Sequence, residues 1–214
     1  AWSDEAPTIA NPERSVDFLG NAKQVSGSYD LSQNRQSYLG FAYPNPSKNF
    51  VTDREPFTFE CYVKRTKDAG SREVFLYNTI GATMSSYGTD RTLFYMLVDG
   101  KLLVNDGAWE STPVDRYFCD DTNLFPKGEW THVAFVRTFE GDRVCHELFV
   151  NGTSRGKVSG TAKASAKDAS VCMVGGRPGT DSTFNGLISS VRVTQAALKP
   201  SEFLSGEPPA VTEP

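Results

Sequence analysis

The chain has 214 residues, a formal net charge of −4, and 38% hydrophobic, 22% charged and 12% aromatic residues, a balance too apolar for a disordered chain. Its densest basic stretch is only Lys64-Arg65-Thr66-Lys67, so it lacks the phosphate-neutralising face that nucleic-acid binding requires. No run approaches the ~18 apolar residues of a membrane-spanning helix, while a chain of this length can bury enough surface to build its own core.

Taken in chain order, residues 1–14 carry Pro7 and Pro12 among polar residues and read as an N-terminal extension. Strands are expected at 15–19 and 37–42. In Phe57-Thr-Phe-Glu-Cys-Tyr-Val-Lys64 the residues Phe57, Phe59, Cys61 and Val63 fall on one face and Thr58, Glu60, Tyr62 and Lys64 on the other, the period of two of a half-buried strand. A further strand is expected at 74–79. The apolar runs 93–98 and 101–104 flank Asp99-Gly100, a two-residue hairpin signal because the turn needs positive φ at both central positions. Residues 105–121 lack clean alternation and read as a long loop.

Strands follow at 130–138 and 144–150, joined by Glu140-Gly141-Asp142. Asn151-Gly152 turns the chain back into 154–158 by the same logic as Asp99-Gly100. Asn151-Gly152-Thr153 also fits the glycosylation sequon, but it coincides with this turn. The last strands are expected at 170–175 and 187–194. Pro200-Ser-Glu-Phe-Leu204 is the one helical turn, opened by a proline as helix starts often are. The acidic, proline-rich residues 205–214 read as a tail or linker. About eleven short strands without internal repeat describe one all-β domain over 15–204, a β-sandwich or barrel.

The four cysteines, Cys61, Cys119, Cys145 and Cys172, have no CxxC spacing, and the two histidines, His132 and His146, complete no zinc pattern. Two readings stand side by side: small buried hydrophobes on strands, or at least one disulfide in one of three connectivities. The chain opens Ala1-Trp2-Ser3-Asp4 without the basic and apolar segments of a secretory leader. A mature form, or a module within a longer secreted chain, would read this way.

Several motifs together carry a resemblance. Phe57-Thr-Phe-Glu-Cys-Tyr-Val-Lys64 resembles the F-T-v-E-a-W-v strand of laminin G-like, concanavalin A-like jelly-roll domains. Gly128-Glu-Trp-Thr-His-Val-Ala-Phe-Val-Arg137 is similar to their G-x-W-x-H-V-A strand, and Glu147-Leu-Phe-Val-Asn-Gly152 to their L-Y-V-D-G hairpin. Val174-Gly-Gly176 and Phe184-Asn-Gly-Leu-Ile-Ser-Ser-Val-Arg-Val193 resemble the closing element, and Ala197-Leu-Lys-Pro-Ser-Glu-Phe203 the terminal segment. The match runs from about residue 36 to 204. One departure is Ile188-Ser189-Ser190, where the family carries an acidic pair. The resemblance implies two antiparallel sheets packed face to face, with ligands on the concave face or on rim loops. Trp130 is expected at a strand start, Gly152 and Gly186 at turns, and Arg192 in a cross-strand pair.

Catalysis is not expected. Related β-glucanases carry an E-x-D-x-x-E run that brings two carboxylates into one groove, and here acids such as Glu60 and Glu147 stand alone. His132 is expected as a core or cross-strand residue, and Gly175-Gly-Arg-Pro-Gly179 as a loop, since it follows a strand and opens no helix. Many relatives hold a rim calcium. Calcium takes six to eight oxygens, for which Asp120 and Asp121 are the candidates; Asp90, Asn105, Asp106, Asp181 and Asn185 are further loop donors. Sugar binding calls for aromatic surface beside planar polar groups, and residues 105–121 offer Trp109, Arg116, Tyr117 and Asp120, with Asp115 and Phe118 beside them, while Tyr87 lies on a second polar-aromatic loop. The sequence therefore points to an extracellular, cell-surface or periplasmic recognition module for carbohydrate, with calcium assistance. A protein-binding or adhesion module is the alternative and a glycoside hydrolase the less favoured one.

Overall fold

The computed structural model describes residues 8–9, 15–19, 23–25, 28–32, 38–42, 56–80, 90–106, 116–119, 123–161, 171–176, 182–194 and 196–206. Among these the chain forms fifteen strands and one short 3₁₀ turn. The strands are β1 (Thr8–Ile9), β2 (Ser15–Leu19), β3 (Lys23–Val25), β4 (Ser28–Asp30), β5 (Tyr38–Ala42), β6 (Phe57–Arg65), β7 (Arg72–Ile80) and β8 (Asp90–Val98). They continue as β9 (Lys101–Asp106), β10 (Arg116–Cys119), β11 (Trp130–Glu140), β12 (Arg143–Val150), β13 (Thr153–Thr161), β14 (Val171–Val174) and β15 (Gly186–Thr194), and the turn spans Pro200–Glu202.

They build two sheets. The first runs β13-β12-β11-β6-β15-β4-β3, with β1 added in parallel beside β15; the second runs β10-β9-β8-β7-β14-β5-β2. Apart from β1 the pairings are antiparallel, and all-β architecture with almost no helix is as expected. Alternation decides which face each residue takes. Phe57, Phe59, Cys61, Val63, Val133, Phe135, Val144 and Leu148 of the first sheet meet Phe75, Leu93, Tyr95, Leu97, Leu102 and Val104 of the second in one buried core. Phe135 sits at its centre, stacked on Tyr95 with centroids 4.1 Å apart and tilted against Phe59 and Phe75. Phe57, Phe59, Phe75, Tyr95, Phe125, Phe135 and Phe184 are thus inter-sheet filling.

The tight turns form where the dipeptides place them. Asp99 and Gly100 adopt φ of 48° and 78°, Asn151 and Gly152 φ of 49° and 73°, the left-handed values that Asp, Asn and Gly reach most readily. Gly186 is required for another reason: a Cβ there would stand 2.1 Å from the Lys64 carbonyl oxygen.

The stretch 105–121 differs from the expected loop. Asn105 and Asp106 end β9 and are buried, and Arg116–Cys119 return as β10, pairing with Leu102–Val104. An exposed β9 edge would leave a row of unpaired backbone groups, and β10 covers it. The cysteines also separate. Cys61 and Cys145 are buried free thiols. Cys119 and Cys172 lie on β10 and β14, with β9, β8 and β7 between them. Four strand spacings of about 4.8 Å put them roughly 19 Å apart, far beyond disulfide reach.

Candidate functional site: a cavity at the rim of the sandwich

The registers divide the connecting segments between the two ends of the sandwich. Ile80 pairs with Asp90, Leu93 with Asp106, and Val104 with Arg116. Segments 81–89 and 107–115 therefore leave the second sheet from one end. The other end carries the Asp99-Gly100 turn, the loop after Arg65, and residues 123–129. Cys119 pairs with Leu102 at that second end, so the chain continues from there into residue 120. The proposed binding residues thus attach to both ends of β10, which spans about 10 Å, and not to one contiguous loop. Trp109, Tyr87, Asp120 and Asp121 lie outside the described residues; Arg116 and Tyr117 are described as β10 backbone only.

At the Gly100 end a cavity of about 220 Å³ opens between Arg65, Asp68, Gly70, Glu73, Asn123 and Lys127, over Leu97, Leu124 and Phe125. Its back wall is an ion pair between the sheets. Arg65, last residue of β6, points inward by alternation and donates from Nη1 and Nη2 to Glu73 Oε1 and Oε2 of β7 at 2.8 and 2.6 Å. Glu73 is fully buried and Arg65 7% exposed. The guanidinium also lies 5.1 Å from the Phe184 ring centroid. Glu73 Oε1 further accepts from the backbone N–H of Asn185 at 3.0 Å and of Gly70 at 3.4 Å. A carboxylate buried at this depth needs such a complete set of donors.

The outer wall is polar and open. Lys127 Nζ reaches Asp68 Oδ1 at 3.1 Å, and Asn185 Nδ2 donates to the Asp68 carbonyl at 2.9 Å. The Asp68 side chain is 95% exposed and that of Lys127 57%, so their pairing is weak and both heads face solvent. The loops are nevertheless fixed in the backbone: Gly128 N–H donates to the Arg65 carbonyl at 2.8 Å, and Thr66 and Lys67 N–H to the Asn185 carbonyl at 3.1 and 3.3 Å. Sequence reasoning missed this site. Its one available signal was an isolated Arg65 on the apolar face of an alternating strand, which demands a buried acid opposite.

Several expected donors have structural duties. Asp106 is buried and contacts Arg137 Nε at 3.1 Å and His146 Nε2 at 2.8 Å, and Asn105 is buried beside it; neither is a rim ligand, because β9 extends through both. Asn185 braces Asp68 and Glu73. Asp90 begins β8, and Asp181 lies outside the described residues. No cluster of three or more His, Cys, Asp or Glu able to hold a metal occurs among the described residues. Of the described side chains lining the cavity, Asp68, engaged with Lys127, and Asn123 offer oxygens at its mouth, while Glu73 is taken by Arg65.

Glu60 and Glu147 both face outward from the first sheet. Glu60 lies beneath the segment 196–204, where Arg192 Nε donates to it at 2.6 Å, His132 Nε2 at 3.0 Å and Leu204 N–H at 2.8 Å. Burial alone would raise the Glu60 carboxyl, but the hydrogen bonds from His132, Leu204 and Arg192 outweigh it and hold it below the usual range. Glu147 accepts from Ser154 Oγ at 2.6 Å. The expected cross-strand partner of Arg192 is thus Glu60, and His132 is a cross-strand histidine.

The sequence model of the family described as the concanavalin A-like lectin/glucanases superfamily matches residues 36–203. No curated protein sequence matches the chain. Among solved structures, the receptor-binding domain of botulinum neurotoxin C/D mosaic serotype is similar with a TM-score of 0.63 and 12% identity, covering 88% of this chain and 45% of that one. Botulinum neurotoxin type C, described as entering cells dependent upon interaction with two ganglioside molecules, gives 0.62 and 12%, covering 88% and 44%. The binding domain of botulinum neurotoxin DC in complex with rat synaptotagmin II gives 0.60 and 12%, covering 88% and 45%. The chain spans less than half the length of these structures, and the likeness at this identity is one of fold.

Proposed function

The chain belongs to the concanavalin A-like lectin/glucanase superfamily, and from that premise we propose that it is a non-catalytic carbohydrate-recognition module that takes its ligand at the Gly100 end of the sandwich. The observation that carries the reading is the cavity of about 220 Å³ with Asp68, Asn123 and Lys127 at its mouth. Ligand pockets for drug-sized molecules run to about 300–1,000 Å³, so this one suits a single sugar unit rather than an oligosaccharide. Carboxylate, amide and ammonium groups match vicinal hydroxyls, and Leu97 and Phe125 supply an apolar floor. The Arg65–Glu73 pair fixes the back wall, so little ordering is required on binding.

Asp120 and Asp121 precede Asn123 by three and two residues, and in this reading they add oxygen ligands for a calcium ion beside the sugar. Arg116, Tyr117, Trp109 and Tyr87 form the second contact surface proposed from sequence. Ganglioside interaction by a neurotoxin of the same fold agrees with sugar recognition on this scaffold. An extracellular, cell-surface or periplasmic setting accords with it. A protein ligand is the second reading, favoured by the synaptotagmin complex of another neighbour. A hydrolase is disfavoured because Glu60 is buried beneath the segment 196–204 and already accepts from Arg192, His132 and Leu204 N–H.

The test is glycan-array screening followed by titration of hits against Asn123→Ala/Lys127→Ala and Trp109→Ala/Tyr117→Ala. Loss of at least tenfold affinity in the first pair supports the cavity. Loss confined to the second pair moves the site to the 107–115 surface, and an array without any sugar hit removes the carbohydrate reading.

A further inference from the structure

At the end of the sandwich opposite the cavity, the inter-sheet layer is ionic. Asp106 and Tyr95 come from β9 and β8 of the second sheet; Arg137 and His146 come from β11 and β12 of the first, where they are register partners. His146 Nε2 lies 2.8 Å from Asp106 Oδ2, Arg137 Nε 3.1 Å from the same oxygen, and Tyr95 OH 2.7 Å from His146 Nδ1. Arg137 and His146 are fully buried, Tyr95 likewise, and Asp106 is 3% exposed. The Arg137 guanidinium is flanked by the Phe57 and Phe139 rings, 5.6 and 4.8 Å from their centroids.

The hydrogens are determined by chemistry. A carboxylate only accepts, so His146 Nε2 carries its hydrogen. The neutral ring then accepts at Nδ1, and the Tyr95 phenol donates to it. Among the described residues Asp106 and Arg137 are the charged groups that face the ring. Val158 is its register partner on β13, and Val144 and Leu148 flank it on its own strand. A proton added at Nδ1 would take away the acceptor of the Tyr95 hydroxyl and put a charge on a fully buried ring, which is disfavoured.

We propose that Tyr95, Asp106, Arg137 and His146 form an acid-sensitive clasp between the two sheets, at the end from which segments 81–89 and 107–115 depart. Burial, opposed by Asp106, lowers the His146 imidazole below its ordinary range. A group so lowered stays neutral when folded while the unfolded chain takes up its proton, so stability is lost as pH falls through the ordinary histidine value near 6.5.

The experiment is urea unfolding of the protein at pH 7.5, 6.5 and 5.5, compared with His146→Gln and His132→Gln. The wild-type unfolding constant should rise about tenfold between pH 7.5 and 5.5 from this one group, His132→Gln should keep that rise, and His146→Gln should lose it. An undiminished rise in His146→Gln overturns the clasp. Should that variant not fold, ¹⁵N NMR of the wild-type rings decides: Nδ1 of His146 unprotonated at pH 5.5 supports the proposal, and an ordinary titration near 6.5 overturns it.

Discussion

Arg65 and Glu73 belong to different sheets and close on each other through two parallel hydrogen bonds, 2.8 and 2.6 Å. Two-pronged geometry of this kind is the strong form of an ion pair, but both groups are nearly dry, and desolvation offsets much of their attraction. Removing one partner is the costly change. Glu73→Gln and Arg65→Met are each expected to destabilise by about 3–5 kcal/mol, and the double change Arg65→Met/Glu73→Leu by clearly less than the sum. Urea unfolding of the three variants measures this; additive losses would mean that the pair is not coupled.

Gly186 makes a different kind of demand. Its neighbour is backbone, not side chain: a Cβ would lie 2.1 Å from the Lys64 carbonyl and 2.9 Å from Arg65 Cα. Gly186→Ala must push β15 away from β6, at the upper end of the roughly 1–3 kcal/mol that overpacking costs. Gly128, with no atom near its Cβ position and φ of +86°, is expected to lose only about 1 kcal/mol on change to Ala, from the left-handed backbone alone. Thermal melts of the two variants should rank in that order.

Calcium gives the third expectation. If Asp120 and Asp121 hold the ion beside Asn123, millimolar calcium should raise the melting temperature, because a ligand that binds only the folded state stabilises it by an amount that grows with the logarithm of ligand concentration above Kd. The gain should disappear on EDTA treatment and in Asp120→Asn/Asp121→Asn. An unchanged melting temperature with calcium removes the ion from the site.

The strands and turns were legible in the sequence because their causes are local. The alternation from Phe57 to Lys64, and the Asp99-Gly100 and Asn151-Gly152 dipeptides, each specify a conformation without help from the rest of the chain. What was not legible came from tertiary pairing. Thr8–Ile9, Lys23–Val25 and Ser28–Asp30 are too short to show a period, and they are strands only because β15 and its neighbours offer an edge. Arg116–Cys119 is likewise made a strand by β9. The rim cavity was invisible for the same reason: Arg65 and Glu73 are eight residues apart in sequence, yet they meet only because the chain crosses from one sheet to the other between them. Asp106 read as a loop acid, since nothing local announces that Arg137 and His146 will close over it.

The segment 196–204 docks on the outer face of the first sheet, and its attachment predicts a second acid-dependent loss at lower pH. Thr58 Oγ1 donates to the Ala196 carbonyl at 2.8 Å and accepts from Leu198 N–H at 2.9 Å; Tyr62 OH donates to the Leu204 carbonyl at 3.1 Å; Glu60 accepts from Leu204 N–H. Phe203 packs with Ala134 and Val136, against Phe149. Phe203→Ala should therefore cost about 3 kcal/mol, the low end for a buried phenylalanine. Because the Glu60 carboxyl is held below its ordinary range, its contribution is full at neutral pH and is lost as pH falls from the ordinary carboxylate value of 4.5 toward the lowered one. Glu60→Gln should be less stable than wild type at pH 7 and should approach it as pH drops below about 4. Paired urea titrations over that interval measure the difference; a gap that stays constant with pH would show that the carboxylate charge does not hold the segment.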